Sequence, residues 1–149
     1  MPEIRLKKER FFLAVWLWAV LLVFLALLPE KIALMVLRKP EFFAVAHLAA
    51  YFILAFLLCL FLKFQRVFLS FRMQTATIFS VALLFSMICG GVTEVVQVLA
   101  PDRGPDWFDL GCDLVGALSG ILFFVLFSRT KFLRKIPVIK QTLPFLSES

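Results

Sequence analysis

The sequence predicts an all-α membrane protein, a bundle of four transmembrane helices with both termini in the cytoplasm. Three observations predict it. Of the 149 residues, 62% are hydrophobic and only 17% charged, with 19 Phe and a mean hydropathy of +0.99. A soluble domain carries about a quarter of its residues charged, and one this small has too little interior to hide so much apolar surface. The apolar residues also gather into four runs long enough to cross the roughly 30 Å hydrocarbon layer. Finally, the Lys and Arg residues behind the net charge of +6 cluster beside those runs, where they meet anionic headgroups. Nucleic-acid binding, the usual reading of a basic chain, is excluded by that placement.

The first span covers about 11–28, FFLAVWLWAVLLVFLALL, without a charge. It ends in Leu27-Leu28-Pro29-Glu30 with no small-residue cleavage pattern, and further spans follow, so it reads as a retained anchor. Residues 30–41 mix apolar side chains with Lys31, Arg38 and Lys39 and could form a short interfacial helix, ended or bent by Pro40. The second span, about 42–62, carries His47 and Tyr51 near its start. The third, about 76–100, carries Glu94 and Gln97 near its end, and the fourth covers about 109–127. The stretch 128–149, broken by Pro137 and Pro144, reads as a basic cytoplasmic tail. All of 1–149 is one domain.

Orientation follows from the cations. Arg5, Lys7, Lys8 and Arg10, then Lys63, Arg66 and Arg72, then Arg129, Lys131, Arg134, Lys135 and Lys140 lie on one side, twelve in all. Only Lys31, Arg38, Lys39 and Arg103 lie on the other. The richer side is cytoplasmic. Cys59, Cys89 and Cys112 lack metal-ligand spacing and read as small hydrophobes.

This topology brings His47, Glu94, Gln97, Asp109 and Asp113 to one membrane level near the outer face. At 100° per residue, Ser86, Gly90, Glu94 and Gln97 fall within an arc of roughly 80° on the third span. Asp109, Asp113, Gly116 and Gly120 form a similar stripe on the fourth, acidic above and Gly-x-x-x-Gly below. Small residues at that spacing allow close helix approach. A carboxylate inside a span costs about 2.5–3.5 kcal/mol, so Glu94 needs a partner, for which His47, Arg103 and Gln97 are candidates. The connecting loop 101–108 contains Pro101 and Gly104-Pro105. Asp106 or Asp109 can cap the fourth span, with Trp107 and Phe108 as interfacial anchors.

Two readings of these residues stand side by side. In one they form a site: His47, Glu94, Asp109 and Asp113 as the reactive groups, with Arg103, Gln97, Tyr51 and Asp106 binding a substrate. In the other they form a polar clasp that sets helix register. The carboxylates and histidine could also hold a divalent cation, and no cofactor is assigned. There is no phosphate-binding glycine loop and no His-Glu-x-x-His, so ATP hydrolysis and zinc-peptidase chemistry are unsupported.

From His47 to Gly120 the chain resembles the VanZ-like family of small bacterial membrane proteins. The resemblance is carried by HLAAYFILAFLLCLF and by GGVTEVVQVLAPDRGPDWFDLGCDLVGALSG, with His47, Tyr51, Glu94, Gln97, Arg103, Asp109, Gly116 and Gly120 at matching positions. Asp113 stands where the family often has asparagine. Ala44 stands where it often has aspartate, leaving Glu94 or another residue to orient His47. The resemblance implies a multi-pass protein of the bacterial cytoplasmic membrane, in a family whose founding member is associated with teicoplanin resistance. The expected function is an outward-facing His/Glu/Arg/Asp site that binds or modifies an anionic lipid or envelope precursor. The alternative is a non-enzymatic accessory or binding subunit of a membrane complex, with the polar cluster as its clasp. Membrane lipids, envelope precursors or another membrane protein are the expected partners.

Overall fold

The computed structural model describes residues 2–29, 31–32, 35, 41–64, 71–99 and 106–129. Among the described residues four long helices build the bundle: α1 Pro2–Ala26, α2 Glu41–Phe64, α3 Phe71–Gln97 and α4 Trp107–Arg129. The windows Phe42–Lys63, Ala76–Gln97 and Trp107–Ser128 are each long and apolar enough to cross a membrane. At 1.5 Å per residue, 22 residues reach about 33 Å. No more than a third of any of these windows is buried inside the bundle, so most of their apolar surface faces outward. A water-soluble bundle would present polar residues there. The chain is a multi-pass membrane protein.

The first span is shorter than its sequence suggests. Its apolar helix runs Phe12–Ala26, because the helix stops at Ala26 and gives way to a turn and bend before Pro29. Lys31, Ile32 and Met35 are helical and Glu41 opens α2, but the rest of the expected interfacial helix, the arginine at 103 and the tail from 130 onward lie outside the described residues.

Directions follow from side-chain contacts. Phe12 meets Phe61 at 5.7 Å, and Trp18 Nε1 donates to Ala50 O at 3.0 Å, so α1 runs antiparallel to α2. Tyr51 meets Thr93, and Glu94 meets the start of α4, so α3 runs against both α2 and α4. The chain therefore enters α1 and leaves α4 at the same end of the bundle. α2 and α4 run parallel and form the most extensive pair.

The α2–α4 contact is backbone to backbone. A Cβ on Gly116 would drive into the Leu48 carbonyl, and one on Gly120 into that of Phe52. Below the glycines, Phe52 and Phe56 of α2 pack against Phe123, Phe124 and Phe127 of α4 with centroids 5.5–6.4 Å apart. Around this pair the core is built from Tyr51, Leu54, Ala55, Leu58 and Cys59 of α2 with Ile78 and Ala82 of α3, Val15 and Leu22 of α1, and Ala117, Ile121 and Phe124 of α4. Lys63 lays its amine 5.4 Å from the Phe124 ring at the end of α2.

Candidate functional site: a buried polar clasp

α3 presents Ser86, Gly90, Thr93, Glu94 and Gln97 to the bundle interior, and all five are buried. α4 does the same with Asp113, Gly116 and Gly120. Both stripes match the helical spacing read from sequence. Thr93 was not singled out there, although it extends the α3 arc by only about 20° at 100° per residue.

Four contacts tie the helices together at this level. His47 Nδ1 and Asp113 Oδ1 share a hydrogen bond at 2.8 Å. His47 Nε2 lies 3.5 Å from Asp109 Oδ2. Tyr51 OH is 2.9 Å from Thr93 Oγ1, whose single proton goes to Gly90 O at 2.8 Å, so Tyr51 is the donor. Glu94 Oε2 accepts from the Asp106 backbone N–H at 2.8 Å. Asp106 in turn caps α4, accepting at Oδ1 from Phe108 N–H at 2.8 Å.

These contacts fill in partners that the sequence left open. His47 is oriented by Asp113 and Asp109. Glu94 meets the first turn of α4 by a backbone donor that no side-chain pattern announces. Asp106 acts as the cap, and Tyr51 and Gln97 are each 2% exposed.

The outward-facing site is overturned. The His47 side chain is 13% exposed, Asp109 14% and Asp113 0%, and Glu94 is 7% exposed. The reason is the stripe itself. Gly116 and Gly120 draw α4 onto the α2 backbone, and the aspartates on the same face turn inward with them. A cavity of about 290 Å³ lies nearby between the end of α3 and the start of α4, lined by Gly91, Glu94, Val95, Val98, Asp106, Trp107 and Leu110. It touches Glu94 but not His47, Asp109 or Asp113. A substrate in it would not meet the histidine.

Two buried oxygens, Asp113 Oδ2 and Glu94 Oε1, have no hydrogen-bond partner among the described residues, nor has Ser86 Oγ. One ligand atom from each of His47, Glu94 and Asp113 lies within 4.8 Å of the others, so these three residues could hold a metal ion. No protein-family model matches the chain, and neither a curated protein nor a solved structure matches it.

Proposed function

We propose that this chain is a non-enzymatic binding or accessory subunit of a membrane complex, with the polar cluster as the clasp that fixes its helices. The observation that carries this reading is the burial of Asp113, at 0% exposure, against His47. Most of the cluster's polar groups engage one another or helix backbone. What the described residues offer to their surroundings is largely apolar surface, including Trp16, Leu17 and Phe24 on α1, Val95 on α3 and Leu99 in the turn after it. We place it in the bacterial cytoplasmic membrane with both termini inside. The twelve-to-four distribution of Lys and Arg supports that orientation, and the resemblance to VanZ-like proteins is the ground for the host.

The test is native electrophoresis of the chain extracted in mild detergent, with mass spectrometry of what migrates with it. The expected result is a particle containing a different membrane protein in fixed ratio. A monomer or a homo-oligomer alone would overturn the subunit reading. Cluster variants that lose the assembly while keeping normal abundance and melting would overturn the clasp reading. Reporter fusions after Glu41, Met73 and Asp106 should read outside, inside and outside, and the reverse pattern would overturn the orientation.

A further inference from the structure

We propose that His47, Glu94 and Asp113 bind a divalent transition-series cation, zinc by the balance of their donors, which ties α2, α3 and α4 together. This inference rests on the clasp reading and names what occupies the clasp.

The charge balance is the first reason. Among the described residues the three carboxyl groups of Asp109, Asp113 and Glu94 face one imidazole, so when all are ionised they exceed the charge of a protonated His47 by two. A divalent cation matches that excess. The second reason is the pair of orphan oxygens. Asp113 Oδ2 and Glu94 Oε1 are buried and have no partner among the described residues, and buried carboxylate oxygens in native structures ordinarily have partners. Oδ2 points at the α3 turn that begins with Gly90, where a Cβ would sit 3.1 Å from it. The absence of a side chain at Gly90 leaves that oxygen its space, one turn from Glu94.

The spacing fits a site short of closure. His47 Nδ1 and Asp113 Oδ1 are 2.8 Å apart, a hydrogen-bond contact that would open slightly around an ion. All three ligand atoms lie within 4.8 Å of one another. Tetrahedral zinc with bonds of about 2.0–2.1 Å sets its ligands roughly 3.4 Å apart, so closure requires side-chain movement on the order of 1–1.5 Å. On binding, Nδ1 becomes the ligand and the ring proton moves to Nε2, where Asp109 Oδ2 accepts it. Asp109 thereby becomes the outer carboxylate that commonly orients a metal-bound histidine. Asp113 supplies one carboxylate oxygen, and water takes the fourth position. One imidazole with carboxylates favours zinc over magnesium or calcium, whose sites are built from oxygen.

The experiment uses the full chain, purified in detergent with its tag removed and stripped with a chelator. Zinc is titrated by calorimetry and cobalt by visible absorption, with magnesium as control. The sequence has one histidine, so a histidine-dependent cobalt spectrum has a single source. We expect one equivalent of zinc, a raised melting temperature, and no response to magnesium. His47→Gln should abolish the cobalt spectrum. Glu94→Gln, which preserves size, should lower affinity at least about tenfold, and Asp109→Asn roughly 10- to 100-fold. Absence of saturable binding to the folded wild-type chain, or affinity unchanged in both Glu94→Gln and His47→Gln, would overturn the site. The metal-free melting temperatures separate the two readings. If metal-free His47→Gln melts early but the wild type takes up no zinc, the clasp stands and the cation falls. If zinc binds but metal-free His47→Gln melts like the wild type, the cation stands and the side-chain clasp falls.

Discussion

His47 on α2 and Asp113 on α4 meet at 2.8 Å one turn from the point where Gly116 rests on the Leu48 carbonyl. The polar tether and the closest backbone contact are thus neighbours, and each fixes the geometry of the other. The two residues should therefore behave as one unit. In a double-mutant cycle, His47→Ala and Asp113→Ala should be non-additive in detergent unfolding by about 1–2 kcal/mol, the upper range for polar contacts between membrane helices. Additive losses would show that Asp113 is held by something other than His47.

The glycines supply a contrast within one chain. Gly116 and Gly120 face backbone atoms that cannot give way, whereas nothing lies within 4 Å of a Cβ built on Gly91 or Gly111. Gly116→Ala and Gly120→Ala should each lower the melting temperature by several degrees, because even a methyl group separates the helices. Gly111→Ala should be neutral or stabilise by about 0.5–1 kcal/mol, through the lower backbone entropy of alanine. Equal effects at all these positions would mean that α2 and α4 do not approach as closely as the structure places them.

Much of this arrangement was legible in the sequence, for identifiable reasons. Helical periodicity assigned Ser86, Gly90, Glu94 and Gln97 to one face, and Asp109, Asp113, Gly116 and Gly120 to another. Hydropathy located α2, α3 and α4 to within a few residues, though it ran α1 past Ala26 because Leu27 and Leu28 are apolar whether or not they are helical. Periodicity gives a face and a level but not what that face meets. The polar stripes were read as opening outward, and they close on each other. The Glu94 contact was invisible for a different reason, since its donor is the Asp106 backbone N–H and every residue but proline has one.

The Tyr51–Thr93 pair should respond asymmetrically. Tyr51→Phe removes a donor but leaves Thr93 bonded to Gly90 O, so no buried group is stranded. Its cost should be about 0.5–1.5 kcal/mol. Thr93→Val preserves shape but strands the Tyr51 hydroxyl at a residue only 2% exposed, and should cost about 1–3 kcal/mol. The check is the order of the two melting temperatures. A larger loss for Tyr51→Phe would show that the hydroxyl has a further acceptor.

Glu94 gives the sharpest separation between a structural acid and a reactive one. Its Oε2 accepts from Asp106 N–H, a bond that glutamine can replace with its carbonyl oxygen, while Oε1 is buried with no partner among the described residues. In metal-free protein, Glu94→Gln removes a charge from an acid-rich interior and keeps the one hydrogen bond the structure gives it. The variant should insert at normal abundance and melt at or above the wild-type temperature. Glu94→Ala should melt lower, because it abandons the Asp106 N–H at the start of α4 and opens a void beside Gly91 and Leu110. The relevant measurement is metal-free detergent melting of the wild type and both variants in one buffer. If Glu94→Gln melts as low as Glu94→Ala, the charge itself stabilises the fold, and the clasp depends on an ionic partner of Glu94 even without a metal. If it melts at or above the wild type, the carboxylate is retained for something other than stability of the metal-free bundle.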